Sequence, residues 1–353
     1  MILRPFVYSS LRHWRAAECI ARFTDDLTPE PAPDCIHGPA QVRPKAGWDR
    51  FGAVHDGHGN LIATGRYLYR LHNVVVVRGG PLGPWGLHIA LDDHVCALEA
   101  CPRGNRDIVG IEGVSFDLDG SSVAVNMLPN WDDATIPRET APAICYLSEW
   151  DNNYYHRVFD TLPRAWAEKM QLTPPDARWL RSDAPAVRCD TLYFPSWWPP
   201  KGYAPGPIEW LRDCRPEPGT SNFDILYLTR AGTRKRRVAN ESDTVRTLER
   251  FGKVTVMSCG DLDFSEQQQI FRHAKMIVGP HGAALTNVVW SDHCAVIELL
   301  PASFPHICYQ YVAKWSGHWY GRMMCDEVSR QSDMFVEVEA LAAMVDEARR
   351  AIG

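Results

Sequence analysis

From about residue 223 the apolar positions fall into a regular alternation. Residues 223–229, 254–257, 276–278 and 295–300 are short apolar runs that read as buried strands. Residues 241–251, 265–274 and 281–290 lie between them, with apolar side chains at helical spacing. Strands alternating with helices imply a parallel sheet with right-handed crossovers, a Rossmann-like half. Residues 334–352 close the chain as an amphipathic helix with Ala and Val on one face.

Upstream the pattern is less regular. Residues 9–23 suggest a short amphipathic helix, and a Pro-rich connector follows from Pro29 to Pro44. Residues 48–126 then carry short β-like runs. Of these, 51–55 and 61–64 flank Asp56-Gly57-His58-Gly59-Asn60, a hairpin signal, and 74–77 and 122–126 add further strands. Residues 143–147 and 191–194 read as strands around a helix from about 151 to 170. Asp151 or Asn152 suits its N-cap, and Pro163 should kink or restart it. SWWPPKGYAPGP at 196–207 is read as loop, 207–214 as a short helix and 215–219 as a linker. The expected division is a first domain over 1–217 with a β-rich lead-in at 48–126, a second over 218–330, and a C-terminal helix over 331–353 that packs back across both.

At 353 residues the chain is long enough for two domains with full cores. A net charge of −6 excludes a global basic field for nucleic acid. No apolar run reaches the ~20 residues needed to span a bilayer, and Arg4, Arg12, His13 and Arg15 break up the first stretch. The expectation is a cytoplasmic protein, at most associated with the inner face of the membrane. The 11 cysteines are scattered without a CxxC, so neither a zinc signature nor a disulfide framework is visible and reduced, buried thiols are expected.

Open parallel sheets bind ligands beyond the carboxyl ends of their strands, and three features land there. Arg230 ends the first strand and is followed by Arg234, Lys235, Arg236 and Arg237. Gly279 to Ala284 form a turn whose small residues admit a ligand close to the backbone, with a helix N-terminus behind it that favours an anion, phosphate first. A tight turn needs such glycines for geometry alone, so both readings stand. Glu298 lies near the end of a third strand, where carboxylates hold ribose hydroxyls.

In the first half, His156 and Asp160 are spaced i, i+4 on one helix face. One can deprotonate a hydroxyl while the other orients it, although a hydrogen-bonded core pair has the same spacing. Trp197, Trp198 and Tyr203 offer aromatic faces suited to stacking on a ligand ring such as a sugar, or equally a hydrophobic lid. Asp117-Leu118-Asp119 and Asp261-Leu262-Asp263 fit the DxD metal pattern but read as turn and helix-entry loop, so no metal site is expected.

Taken together, DNNYYHRVFDTLPR at 151–164, LYLTR at 226–230 with RRVANE at 236–241, and IVGPHGAALTNVVW at 277–290 with VIELLP at 296–301 resemble family 61 glycosyltransferases. The likeness covers roughly residues 143–300, with the motifs in family order. It implies an α/β fold of GT-B type: two Rossmann-like domains facing an interdomain cleft, here with a partly β lead-in. It also implies an inverting, metal-independent transferase that needs no cofactor. The donor would be a nucleotide-sugar, with a UDP-sugar expected, and the acceptor a hydroxyl of a cell-surface glycan, glycolipid or protein. The 1–217 region would then face the acceptor and 218–330 the nucleotide-sugar.

Carried over by position, the resemblance makes His156 and Asp160 catalytic and places Arg230, Arg236, His281, Gly282, Ala283 and Glu298 at the donor, which Gly279 joins through its place in the same turn. Asn240-Glu241 is read as capping the next helix. Ala284 stands where bacterial members often have Gly. The loop from Arg230 to Arg236 is longer than in the animal enzyme, which leaves open which of Arg234 to Arg237 meets phosphate. The HxxxD pattern at 156–160 also fits a CoA-dependent acyltransferase, and a non-catalytic nucleotide-binding protein would share the fold.

Overall fold

The computed structural model describes residues 6–10, 18–25, 64–78, 87–91, 94–97, 114–116, 123–125, 136–146, 153–180, 184, 186–198, 205–217, 223–304 and 306–353. The described residues up to 198 belong to one compact unit and those from 205 onward to another.

The strands of the first unit are β1 (Phe6–Ser10), β2 (Glu18–Asp25), β3 (Thr64–Arg78), β4 (Leu87–Leu91), β5 (His94–Ala97), β6 (Val114–Phe116), β7 (Val123–Val125), β8 (Arg138–Glu139), β9 (Ala143–Ile144), β10 (Arg178–Trp179) and β11 (Ala186–Trp198). They form one mixed sheet in the order β10-β9-β11-β3-β4-β5-β1-β7-β6, with β2 also on β3 and β8 also on β11. The antiparallel ladder of β3 and β11 runs from Val77↔Ala186 to Gly65↔Trp198 and is the spine of the unit. Asn73, at φ 51, resets the alternation along β3, so that the buried set passes from Tyr69 and Leu71 to Val74 and Val76. Val187, Cys189, Leu192 and Phe194 of β11 complete that core.

Several expectations for this half are corrected. The helix expected over 9–23 is replaced at its ends by β1 and β2, because β3 supplies β2 with a backbone ladder that outweighs its helical spacing. The loop expected from 196 begins later, since pairing with β3 carries β11 through Trp198, just before Pro199-Pro200 remove the backbone donors. The expected Rossmann-like sheet of the first half is a mixed sheet instead. β9 joins β11 in parallel and β11 joins β3 antiparallel, so the later strands extend the lead-in rather than start a sheet of their own. The hairpin expected at 51–64 lies outside the described residues apart from Thr64, which opens β3.

One helical run does interrupt the strands. It begins as α1 (Tyr154–His156), widens to a π-turn (Arg157–Thr161), tightens to a 3₁₀ turn around Pro163 (Leu162–Ala165) and ends as α2 (Trp166–Lys169). Pro163 lacks the N–H that a continuous helix needs, which accounts for the restart. The N-cap is Asn153, one residue beyond the expected Asn152, with its side chain accepting from the Tyr155 N–H at 3.0 Å.

The second unit is built on β12 (Phe223–Leu228), β13 (Val254–Met257), β14 (Ala274–Pro280), β15 (Ala295–Pro301), β16 (Trp319–Glu327) and β17 (Met334–Phe335). Their order is β13-β12-β14-β15-β16-β17, parallel throughout except for β17. Its helices are α3 (Pro205–Asp213), α4 (Glu241–Glu249), α5 (Phe264–Arg272), α6 (Cys308–Ser316) and α7 (Val338–Ile352). All seven residues of β15 are buried, as a central parallel strand covered on both faces requires. The second DxD motif proves structural: Asp263 accepts from the Glu266 N–H and Glu266 returns the bond, a capping box on α5.

Two helices differ from expectation. Residues Ala283–Trp290 form a 3₁₀ helix, opened by a Leu285 N–H to Gly282 carbonyl bond of 3.0 Å. Leu285 to Trp290 are all buried, so the segment has no polar face around which an amphipathic α-helix would organise. The last helix starts at Val338 rather than 334, because Met334 and Phe335 pair with β16. α7 lies on β15, β16 and α4, with Leu341, Met344, Val345 and Ala348 in the same core as Met276 and Ile297.

Candidate active site

The strand order reverses between β12 and β14: the chain leaves β12 outward to β13, then returns to the other side of β12 to lay down β14, β15 and β16. The carboxyl ends of β12 and β14 therefore flank a topological switch point, where open α/β sheets place their ligands. Arg230 follows β12, and the turn at His281–Gly282 follows β14. The two meet: a Cβ built on Gly282 would lie 2.1 Å from Nη1 of Arg230. Gly282 is extended (φ 175), so its glycine serves this close approach rather than an unusual backbone angle. Gly279 is different. A Cβ there would sit 2.7 Å from Cβ of Leu228 and 3.2 Å from its carbonyl oxygen, which makes Gly279 a packing residue that lets β14 lie against β12.

The basic loop sorts itself into separate roles. Arg234 and Lys235 are exposed. Arg237 is tied to Asp333 through its backbone N–H (2.9 Å) and through Nη2 (2.6 Å), and this pairing holds the Asp333 carboxyl well below the usual carboxylate range. Arg236 turns inward over the Phe304 ring, 5.2 Å from its centroid, from a left-handed backbone at φ 59. A non-glycine residue held there stores of order 1 kcal/mol and persists only when its surroundings hold it. Here the Arg236 N–H donates to the Gln331 carbonyl at 3.0 Å, Met334 N–H to the Arg237 carbonyl at 2.8 Å and Ala239 N–H to the Met334 carbonyl at 2.8 Å.

Asn240 occupies the N-cap position of α4 but does not cap it. Its amide donates to the Val336 carbonyl (2.8 Å) and accepts from the Val336 N–H (2.9 Å), while Glu241 accepts from Tyr227 and Thr229 at the end of β12. Of the expected capping pair, Asn240 instead ties the loop to Val336 and Glu241 ties it to the end of β12.

Arg230 and Arg236 are brought close enough to oppose one another. Burial, then the Arg236 charge, pushes the Arg230 guanidinium down to about 10, against a pull from Tyr309. Burial also lowers Arg236, partly offset by Tyr309, Glu298 and Cys308. Two partly desolvated guanidinium groups within electrostatic reach of one another are costly alone and become favourable around a multiply charged anion.

Behind them lies a buried polar chain. Glu298, with 0% exposure, accepts from His281 Nδ1 through one carboxylate oxygen and from the Tyr320 hydroxyl through the other. Tyr320 pairs with Val296 and Arg322 with Glu298, so Tyr320 sits diagonally from Glu298 on one face of the sheet. The Tyr309 hydroxyl donates to the Gly282 carbonyl at 2.7 Å, and the His281 N–H donates to the Leu299 carbonyl at 2.9 Å. The His281 amide is thus committed to the sheet, and its imidazole ring is what faces Phe304, His306 and Tyr309, with centroids 5.1–5.2 Å away.

In the first unit, His156 and Asp160 do pair, Nδ1 to Oδ2 at 2.7 Å. The Asp160 side chain is 0% exposed and the His156 side chain 15%. The bond spans the junction of α1 with the π-turn, an irregularity that recurs at functional sites. Nearby Arg164 is buried, lies over Phe194 at 4.7 Å and is pushed down to about 9 by burial. Trp197 and Trp198 belong to β11, and Tyr203 lies outside the described residues.

The family model for glycosyltransferase 61 matches residues 154–297, from the start of α1 to within β15. This stretch, about two-fifths of the chain, is similar to glycosyltransferase 61. The matched stretch takes in His156, Asp160, Arg230, Arg236 and the His281–Ala283 turn, and stops one residue before Glu298. The chain is also similar to the EGF domain-specific O-linked N-acetylglucosamine transferase of Drosophila melanogaster, at 34% identity over 107 residues. That similarity covers 30% of this chain and 20% of the fly protein.

Sequence reasoning missed four residues of the domain's surroundings: Phe304, His306, Tyr309 and Tyr320. They lie on a turn, on α6 and on β16, none of which the apolar pattern had marked out. The available signal was composition, since residues 304–320 contain Phe304, His306, Tyr309, Tyr311, His318 and Tyr320 immediately after the VIELLP motif.

Proposed function

We propose that the protein is an inverting glycosyltransferase that uses a nucleotide-sugar donor, a UDP-sugar in the first instance. The observation that carries this reading is Arg230 against Gly282 and Arg236 over Phe304, beside the switch point of a parallel sheet, within the stretch that matches glycosyltransferase 61. The diphosphate charge that grows on the leaving group is met by these two guanidinium groups, already oriented and partly stripped of water. Glu298 acts through His281, whose ring it orients.

His156 is the base in this proposal and Asp160 its positioning partner. The buried carboxylate takes the Nδ1–H of His156 and leaves Nε2 to accept a proton. The acceptor hydroxyl gives that proton to Nε2 as its oxygen bonds to the anomeric carbon. The bond from that carbon to the phosphate oxygen breaks on the opposite face, and UDP leaves.

The acceptor is a hydroxyl on a glycan or protein, and the relative suggests UDP-N-acetylglucosamine as the first donor to try. The test is a thermal-shift screen of UDP, UDP-sugars and CoA, followed by product NMR for anomeric configuration. Stabilisation by UDP and inversion at the anomeric carbon are expected. Stabilisation by CoA alone, or retention of configuration, overturns the proposal.

A further inference from the structure

Beside the proposed donor site, and sharing His281 with it, the second unit gathers three metal-binding side chains. Donor atoms of His281, His306 and Cys308 all lie within 4.8 Å of one another. His281 and Cys308 are buried, and His306 is half-buried. We infer that His281, His306 and Cys308 form a site for a zinc-class divalent ion, with Glu298 as the carboxylate that holds His281 in register.

The argument rests on the donor set and on what stands behind it. Two imidazoles and a thiolate are a borderline-soft set that suits Zn²⁺ and Co²⁺ and suits Mg²⁺ or Ca²⁺ poorly. Metal-ligating histidines almost always donate their second ring N–H to a carboxylate, a backbone carbonyl or water. His281 Nδ1 is bonded to the fully buried Glu298, which is held in turn by Tyr320, and this leaves Nε2 of His281 as the ligand nitrogen. Zinc bonds of about 2.0–2.3 Å at tetrahedral angles put ligand atoms about 3.4–3.6 Å apart, so the three donors need to close by about an ångström.

His306 lies between β15 and α6, outside any helix or strand. The charge balance also closes. A Cys308 thiolate and the Glu298 carboxylate offset a divalent ion, which is needed because the Arg236 guanidinium faces the same cluster across Phe304. Three protein ligands leave the fourth position to water or an anion.

None of this follows the DxD pattern, and the cysteine spacing gives no hint of it, because the ligands come from a strand end, a turn and a helix start. The test uses the whole protein, loaded with Zn²⁺ or Co²⁺ and dialysed against metal-free buffer. About one equivalent of zinc is expected to remain, and the Co²⁺ form is expected to show a near-ultraviolet thiolate charge-transfer band with tetrahedral d–d bands. Both are lost in Cys308→Ser and His306→Gln, and Glu298→Gln weakens binding about 10- to 100-fold. His306→Gln changes only a half-buried turn, so it keeps the test open if Cys308→Ser does not fold. Zinc retained equally by the wild type and His306→Gln overturns the assignment, as does a Co²⁺ spectrum without the thiolate band. Neither readout depends on transferase activity.

Discussion

Two glycines three residues apart, Gly279 and Gly282, allow a sharp test, because the structure assigns them opposite consequences. In Gly282→Ala the new methyl lies 2.1 Å from Nη1 of Arg230. Ordinary contact begins near 3.4 Å, so the guanidinium has to retreat by more than an ångström. That group is the mobile end of a long side chain and Gly282 has an extended backbone, so the fold absorbs the change. What is lost is the aim of Arg230 at the switch point. A charge-assisted hydrogen bond is worth about 1.5–3 kcal/mol, which converts to UDP binding weaker by about 10- to 150-fold.

In Gly279→Ala the methyl meets Cβ of Leu228 at 2.7 Å and a backbone oxygen at 3.2 Å, and neither can step aside. Overpacking of this kind costs about 1–3 kcal/mol, or about 1–4 °C in Tm for a chain of this size. Calorimetric titration with UDP and thermal unfolding, run on both variants, separate the two effects. If Gly282→Ala binds UDP as the wild type does while Arg230→Ala loses binding, the close approach is incidental. If Gly282→Ala unfolds as early as Gly279→Ala, the assignment of roles to the two glycines is wrong.

Other expectations can be checked alongside. His156→Ala should lower kcat by about 10²-fold or more with little change in UDP affinity, and Asp160→Asn should follow it by a smaller factor; near-full turnover in both would remove the pair from the chemistry. Tyr320→Phe leaves one oxygen of the buried Glu298 carboxylate without its donor and should cost about 1–3 kcal/mol of stability, read as an earlier thermal transition. The Asp333 carboxyl, depressed by Arg237, contributes stability that is present above the ordinary Asp range near pH 4 and is lost as pH falls through its lower folded value. Asp333→Asn should therefore be less stable than wild type at pH 7. The gap should narrow on acidification below about pH 4, and a gap that widened there would contradict the pairing.

The second unit was readable from periodicity because a parallel sheet buried on both faces writes its strands as continuous apolar runs, and β12, β14 and β15 do so. The first unit was not, because β3 and β11 owe their length to each other. Nothing local in SWW at 196–198 competes with two prolines that follow, yet the ladder to β3 decides the outcome. At the site, motif positions located Arg230, Arg236, His281 and Glu298, but not what they touch. Arg237 and Arg236 are neighbours of identical chemistry, and only the left-handed turn at Arg236 sends one inward and the other to Asp333. Tyr309 and Tyr320 escaped notice because their roles depend on hydroxyls reaching across more than 20 residues of sequence, to Gly282 and Glu298.

The strap between residues 236–240 and 331–336 bears on how such a domain is inherited. The family likeness ends at residue 297, yet the inward arginine is held by Gln331, its neighbour by Asp333, and Asn240 by Val336. Tyr320, beyond the same limit, completes the shell of Glu298. The stretch recognisable across relatives is therefore shorter than the stretch that must vary in concert. A chimaera that exchanges residues 223–300 with a relative but keeps the host's 301–336 would import the arginines without their fastenings. Exchanged together, the two segments form one unit of recombination.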